Sequence, residues 1–335
     1  MDTVLEFERP IIELKKRVES LREIERETGA DLSASIEQLG RQADQLQRSI
    51  FDQLTPWQRT QLSRHPSRPY TLDYVDGLFT DWMELHGDRA GHDDQAIVGG
   101  LCRLDGRPVV VIGHQKGRNT RENLKRNFGM PRPDGYRKAL RLMRLAERFG
   151  RPIITFIDTP GAYPGIDAEE RGQAEAIAKN IMDMSYLRVP VVAVVIGEGG
   201  SGGALALGVA NRVLMLENST YSVISPEGCA AILWRDRAEG PRAAEALRIT
   251  AGDCLRLRVV DEVIPEPTGG AHRDHPGVIA AVGAALRHHL GALAGLSPEA
   301  LQDDRYDRFR GLGAVTEPPP LTMPLLEGAA EPPSA

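Results

Sequence analysis

Two turns in this 335-residue chain carry the residues best suited to chemistry. The first is Asp158-Thr159-Pro160-Gly161-Ala162-Tyr163-Pro164-Gly165. The second is Gly197-Glu198-Gly199-Gly200-Ser201-Gly202-Gly203. Glycine permits φ > 0 and lets backbone come close to a bound group. A helix starting beside such a turn leaves N–H groups unpaired and adds a positive dipole end. Together these make an anion site built from backbone, suited to a developing oxyanion. One glycine cluster alone reads better as a tight turn with close helix packing. Two of them, on successive strand–helix units, shift the balance towards function.

The second turn fits several patterns. Gly197, Gly199 and Gly202 match G-x-G-x-x-G after a strand, and Glu217 lies 20 residues on from Gly197, where a dinucleotide site places its ribose acid. Gly199, Ser201 and Gly203 match the hydrolase elbow G-x-S-x-G, and Asp261, His272 and His275 follow in the order such an enzyme needs. Local pattern leaves all three chemistries open. A β-branched residue at Gly200 is expected to disfavour any positive φ there and to intrude on ligand space.

Elsewhere, residues 113–148 hold eleven Lys or Arg against three acids. Most read as a solvated helix face. Lys116, Arg118, Lys125 and Arg126 are the candidates for meeting phosphates or an acidic partner. His272 and His275 form an HxxH with no third ligand in view, so no metal site is expected. Asp158 reads as a cap on its own turn.

These turns need strands and helices to hold them. Ala96–Leu104 and Val109–Gly113 flank Asp105-Gly106, a hairpin signal. Tyr136–Phe149 reads as a helix, Ile153–Ile157 as a strand, Ala168–Tyr186 as a helix and Val189–Ile196 as a second strand. Helix Gly202–Ala210, strands Arg212–Leu216 and Val259–Ile264, and helix Pro276–Leu293 follow. Continuous apolar strands between helices imply an α/β sheet covered on both faces. Ahead of it, Ile11, Leu14, Val18 and Leu21, then Ile36, Leu39, Ala43, Leu46 and Ile50, form two narrow apolar seams. We read a helical hairpin or arm over 1–68, a main domain over 69–296, and an extension over 297–335. The proline-rich stretch from about 311 is expected to be disordered.

Composition excludes several classes. A net charge of −6 offers no overall basic surface for nucleic acid or an anionic membrane. Three scattered cysteines make neither a disulfide framework nor a zinc ribbon, and suit a reducing cytoplasm. No apolar run nears the roughly 20 residues needed to span a bilayer, and the N-terminus has no apolar signal-peptide core.

Longer stretches decide among the chemistries. RHPSRPYTLDY (Arg64–Tyr74), VGGLCRLDGRPVVVIGHQKG (Val98–Gly117), RNFGMPRPDGYRKALRLM (Arg126–Met143) and ITFIDTPGAYPG (Ile154–Gly165) resemble the alpha-subunit family of multi-subunit acetyl-CoA carboxylase carboxyltransferases. So do AEERGQAEAIA (Ala168–Ala178), VIGEGGSGGALALGV (Val195–Val209), STYSVISPEGCAAILW (Ser219–Trp234) and IPEPTGGAHRD (Ile264–Asp274). Departures are small: Ile166-Asp167 after the first turn and Asn211–Leu214 after the glycine helix.

The resemblance implies a crotonase-like ββα superhelix (the ClpP-like superfamily) with a site at a subunit interface. It implies a zinc-ribbon beta subunit, a biotin carboxyl carrier protein whose biotin is the cofactor, a biotin carboxylase, and an α2β2 assembly. The reaction would carry a carboxyl group from carboxybiotin to acetyl-CoA, giving malonyl-CoA, with no metal in this chain. Negative charge would develop on the biotin carbonyl oxygen and on the thioester oxygen. Losing one fixed N–H donor to such charge costs about 3 kcal/mol of barrier. The resemblance gives this chain the carboxybiotin side. We expect oxyanion donors on the Gly199-Gly200 backbone, room supplied by Gly202 and Gly203, and Gly161, Ala162 and Tyr163 lining the same pocket. The freed biotin nitrogen can itself take the proton of acetyl-CoA, so no protein acid–base pair is required.

Overall fold

The computed structural model describes residues 3–313. The proline-rich tail from residue 314 onward, expected to be disordered, lies outside the described residues. In chain order the helices and strands are α1 (Arg9–Thr28), α2 (Ser33–Asp52), α3 (Pro56–Ser63), α4 (Thr71–Leu78), β1 (Thr80–Glu84), β2 (Ile97–Leu104) and β3 (Arg107–His114). Next come α5 (Thr120–Lys125), α6 (Pro133–Arg148), β4 (Ile153–Thr159), α7 (Ile166–Glu170), α8 (Gln173–Tyr186), β5 (Val191–Gly200) and α9 (Ser201–Leu205). The chain continues through β6 (Arg212–Leu216), β7 (Thr220–Ser222), α10 (Pro226–Trp234), α11 (Gly240–Leu247), α12 (Ala251–Arg256), β8 (Glu262–Ile264), α13 (His275–Leu293) and α14 (Pro298–Arg310).

The strands form one sheet in the order β1-β2-β3-β4-β5-β6-β8, with β7 added on the end of β5. The first three strands are antiparallel and the rest are parallel. Asp105 and Gly106 join β2 to β3 with φ of 49° and 77°, the double left-handed turn the sequence signals. Every residue of β4 is buried, as a strand covered on both faces must be. Ile153 and Ile157 join the core under α6 and α8, while Ile154 and Phe156 join the core under α4 and α13. On α6, Pro133 starts the helix at its first turn, and Tyr136, Ala139, Leu140, Leu142, Met143 and Ala146 lie buried on its inner face.

Four differences from the sequence reading matter for the site. Strand β5 does not stop at Ile196 but runs through Gly200. The helix after it is five residues long, not nine, so its macrodipole is slight. The helix expected over 168–186 breaks at Gly172, whose φ is 80°. An unexpected helix, α14, packs on the body through Leu301 and the buried guanidinium of Arg305. Arg305 donates to the carbonyls of Leu187 and Val189 and to Asn211 Oδ1, at 2.7–3.1 Å.

Candidate active site at the glycine turns

The parallel sheet brings the two turns into contact. A Cβ placed on Gly200 would lie 2.2 Å from the Pro160 carbonyl oxygen. One placed on Gly203 would lie 2.7 Å from Ala162 N and from the Gly161 carbonyl carbon. Tyr221, on β7, closes the other side, 2.7 Å from a Cβ on Gly199. These glycines are therefore present for close backbone approach. Gly200 has φ −92°, so the expected positive φ is not there. The left-handed residue of the junction is Ser201, at φ 54°. Gly202 alone has room, with Ile177 at an ordinary 3.6 Å.

Beside the junction lies a cavity of about 290 Å³, lined by Ser201, Gly202, Leu205, Tyr221, Ser222, Val223 and Val259. Its walls are largely apolar side chains. At its floor the first turn of α9 presents N–H groups that the helix itself cannot pair. No side chain caps them, and among the described residues no outside carbonyl accepts from Ser201, Gly202 or Gly203. Val223 stands 76% exposed at the rim, and Ile232 and Leu233 of α10 are exposed nearby in sequence.

The first turn is held from below. Gly161 N–H donates to Thr159 Oγ1 at 3.1 Å, Tyr163 N–H to the Pro131 carbonyl at 3.0 Å, and Gln173 bridges Pro131 and Tyr163. Gly161 takes φ 150° with open space around it. The Arg132 guanidinium lies over the Tyr163 ring, 4.7 Å from its centre.

The four basic candidates do not converge. Lys116, a candidate for phosphates or an acidic partner, is internal: its ammonium lies 2.6 Å from Asp158 Oδ1 and 3.0 Å from Glu198 Oε2. Burial pushes its pKa down, yet those two carboxylates more than reverse this and raise it. Arg118 lies over the Tyr70 ring, pairs with Asp73 and donates to the carbonyls of Pro66 and Arg68. Arg126 donates to the Gln95 carbonyl, and Lys125 is exposed. Asp158 serves elsewhere than in its own turn, which Thr159 Oγ1 holds: Asp158 Oδ1 accepts from Lys116 Nζ and from the Glu198 N–H at 3.0 Å.

The rival motifs lose their partners. Glu217 accepts from the Glu266 N–H, a contact within the fold. Asp261 accepts from Val213 N–H and Arg308. His275 contacts the Ser67 carbonyl, and His272 Nε2 lies 2.9 Å from Glu8 Oε1. Neither imidazole lines the Ser201 cavity. His272 instead joins a group that leaves His275 out: Glu8, His65 and His272 have ligand atoms within 4.8 Å of one another, all buried. Most of their ligand atoms are already engaged, His272 Nε2 with Glu8 Oε1 and the rest with neighbouring groups, while His272 Nδ1 is buried without a hydrogen-bond partner among the described residues. His65 Nδ1 accepts from Ser67 N–H, His65 Nε2 contacts the Thr3 carbonyl, and Arg273 donates to Glu8. They clamp the N-terminal segment to the loop before α13.

A family model described as acetyl co-enzyme A carboxylase carboxyltransferase-like matches residues 4–313. An acetyl-coenzyme A carboxylase carboxyl transferase subunit alpha from Thermus thermophilus is 62% identical over 314 residues, covering 94% of this chain and 99% of that protein. The subunit of the same name from Syntrophotalea carbinolica is 58% identical, covering 95% and 100%. Among solved structures, transcarboxylase 12S with methylmalonyl-coenzyme A bound superposes with a TM-score of 0.54 at 22% identity, covering 67% of this chain and 42% of that one. A Pseudomonas malonate decarboxylase heterotetramer with coenzyme A gives 0.53 at 20%, covering 64% and 85%. At such identities the structures speak to the crotonase-like fold alone.

Proposed function

Since this chain belongs to the acetyl co-enzyme A carboxylase carboxyltransferase-like family, we infer that it is the alpha part of a transferase making malonyl-CoA, the committed step of fatty acid biosynthesis. A beta subunit completes the enzyme. The observation that carries the reading is the convergence of the two glycine turns beside one largely apolar cavity floored by unpaired amides.

The cavity suits a bicyclic ureido ring, apolar on its faces and polar at one edge. Biotin, carried on a separate carrier protein, supplies the activated carboxyl group when bound. The chain's own part is to bind and orient it. Backbone donors of the first turn of α9, at Ser201 and Gly202, hold the ureido oxygen as it gains charge, in a site where such donors are worth about 3 kcal/mol each. Gly199 and Gly200, the donors expected from the sequence, lie instead within β5 and pair with β4 and β7. Leu205, Val223 and Val259 exclude water from the ring. Gly161, Ala162 and Tyr163, expected in the same pocket, are not among the residues that line this cavity. The Gly161 and Ala162 backbone packs on Gly203, which keeps the two turns in register. Exposed Lys125 and neighbouring Arg126 are offered to coenzyme A phosphates or to the carrier. The acetyl-CoA side falls to the beta subunit, whose family carries the zinc ribbon; this chain needs no metal for its share. Biotin carboxylase recharges the carrier, the assembly is α2β2, and the setting is cytoplasmic. No single helix among the described residues is long and apolar enough to cross a membrane. We divide the chain into an arm (1–68), a carboxyltransferase domain (69–296) and an extension (297–335).

Gly202→Leu tests the pocket assignment, because a Cβ there meets only Ile177 at ordinary distance. The variant should assemble with the beta subunit normally, yet lose at least about tenfold in malonyl-CoA-dependent carboxylation of free biotin, or about 1.4 kcal/mol. Wild-type turnover in an assembled Gly202→Leu complex would remove biotin from this cavity.

A further inference from the structure

Five elements meet beside the glycine junction. Lys116, just past β3, donates from Nζ to Asp158 at the end of β4 and to Glu198 near the end of β5, at 2.6 and 3.0 Å. Arg64, following α3, donates from Nε to Glu198 Oε1 at 2.6 Å and pairs also with Glu227 on α10. The side chains of Lys116, Asp158 and Glu198 are only 12%, 4% and 13% exposed.

The sheet needs this cluster at this point. Strands β4 and β5 run in step to Ile157 opposite Val195, and then Thr159 stands opposite Gly199. So β5 spends four residues where β4 spends two. In that irregular stretch the Asp158 carboxylate takes the place of a ladder partner, accepting the Glu198 N–H at 3.0 Å. Gly197 is required for this reach, since a Cβ there would sit 2.4 Å from Asp158 Oδ1. Both ends of Glu198 are thereby fixed, backbone by Asp158 and carboxylate by Lys116 and Arg64. The next residues are Gly199 and Gly200.

We propose that Lys116 is a positioning residue of the carboxyltransferase: it neutralises Asp158 and Glu198 together and so sets where the donor junction stands. It touches no ligand. Without its charge, two buried carboxylates would face each other, and such a pair cannot both stay ionised at low cost. The junction would move by the small distance that an oxyanion site does not tolerate. The proposal rests on the reading of the junction as the carboxybiotin site.

The test uses the full complex with the beta subunit, with malonyl-CoA and free biotin as substrates. Lys116→Met should lower kcat at least about thirtyfold and leave the KM for malonyl-CoA within about threefold, the pattern of a lost transition-state interaction. Glu198→Gln should lower kcat too. Adding Glu198→Gln to Lys116→Met should cost nothing further, because the two act as one unit. Size and thermal unfolding check assembly. If Lys116→Met fails to assemble, Glu198→Gln decides by the same split between kcat and KM. A tenfold rise in malonyl-CoA KM at unchanged kcat would mean a phosphate contact and overturn the proposal. Multiplying losses in the double variant, or wild-type kcat throughout, would overturn it as well. A wild-type complex with no turnover would instead overturn the carboxybiotin reading on which it stands.

Discussion

Glycine serves two purposes that look identical in a sequence. It can adopt a positive φ, or it can simply leave space. At the junction the second purpose rules at Gly197, Gly199, Gly200 and Gly203, where any Cβ would come within 2.2–2.7 Å of a neighbour. Within the second turn the one positive φ falls on a serine. Residue types alone gave no way to separate these uses, because the atoms that crowd each glycine come from Asp158, Pro160, Gly161, Ala162 and Tyr221, on other elements. For the same reason Gly200→Val is a poor probe of ligand space; it would strike Pro160 before any ligand. Lys116 was misread by the same limit, since its partners lie 42 and 82 positions away. Ser201→Ala is the cleaner probe. It keeps the backbone and its strain, removes only the hydroxyl, and no imidazole lines the cavity to activate that hydroxyl. We expect turnover in the complex to stay within about fivefold, by analogy with loss of a minor hydrogen bond, and no labelling of the wild type by a fluorophosphonate. Near-complete loss together with labelling would restore the hydrolase reading.

At the scale of elements, what could be read from sequence was what local pattern controls. The Asp105-Gly106 hairpin, β4, β6, α6 and α13 lie within a few residues of their expected bounds. Strand β5 overran its prediction because its last residues pair with β7, a three-residue strand with no periodicity of its own. Helix α14 was missed because its buried face includes an arginine, not a run of apolar residues. The N-terminal seams were legible, with Ile11, Val18 and Ala43 buried. Their attachment was not. It runs through Gln47 to the Thr268 carbonyl and through Glu8 to His272 and Arg273. Burial pushes the Glu8 pKa up. Hydrogen bonds from His272 and the Leu5 N–H, with the His272 and Arg273 charges, more than offset this and bring it to about 2. A carboxyl with a depressed folded pKa contributes stability above its unfolded value, and this is lost as pH falls through the folded one. The clamp should therefore weaken from about pH 4.5 towards pH 2. Protease cleavage within α1 should rise over that range in the wild type, and Glu8→Gln should be cleaved faster already at neutral pH with a flatter profile. Identical profiles for both proteins would show that Glu8 does not hold the segment.

At the scale of the whole molecule, the proposed reading makes this chain one half of a site. Its cavity is open, and Val223, Ile232 and Leu233 expose apolar surface on α10 and the segment between β7 and α10, of the kind that marks a contact surface. On that reading, one set of backbone donors would serve one of the two oxygens that gain charge in carboxyl transfer, and the other would need its own. The charge cluster beside the junction also touches α10 through Glu227, so a partner seated on that helix would lean on the support of the donors. The central claim is that this chain supplies the carboxybiotin half of a two-subunit transferase and nothing that works alone. Malonyl-CoA-dependent carboxylation of free biotin, measured for this chain, for the beta subunit and for their mixture, tests it most directly. The account predicts no turnover by either protein alone and turnover that appears, and saturates, as one is titrated into the other. Robust turnover by this chain alone, or none in a mixture shown by size to have assembled, would contradict it.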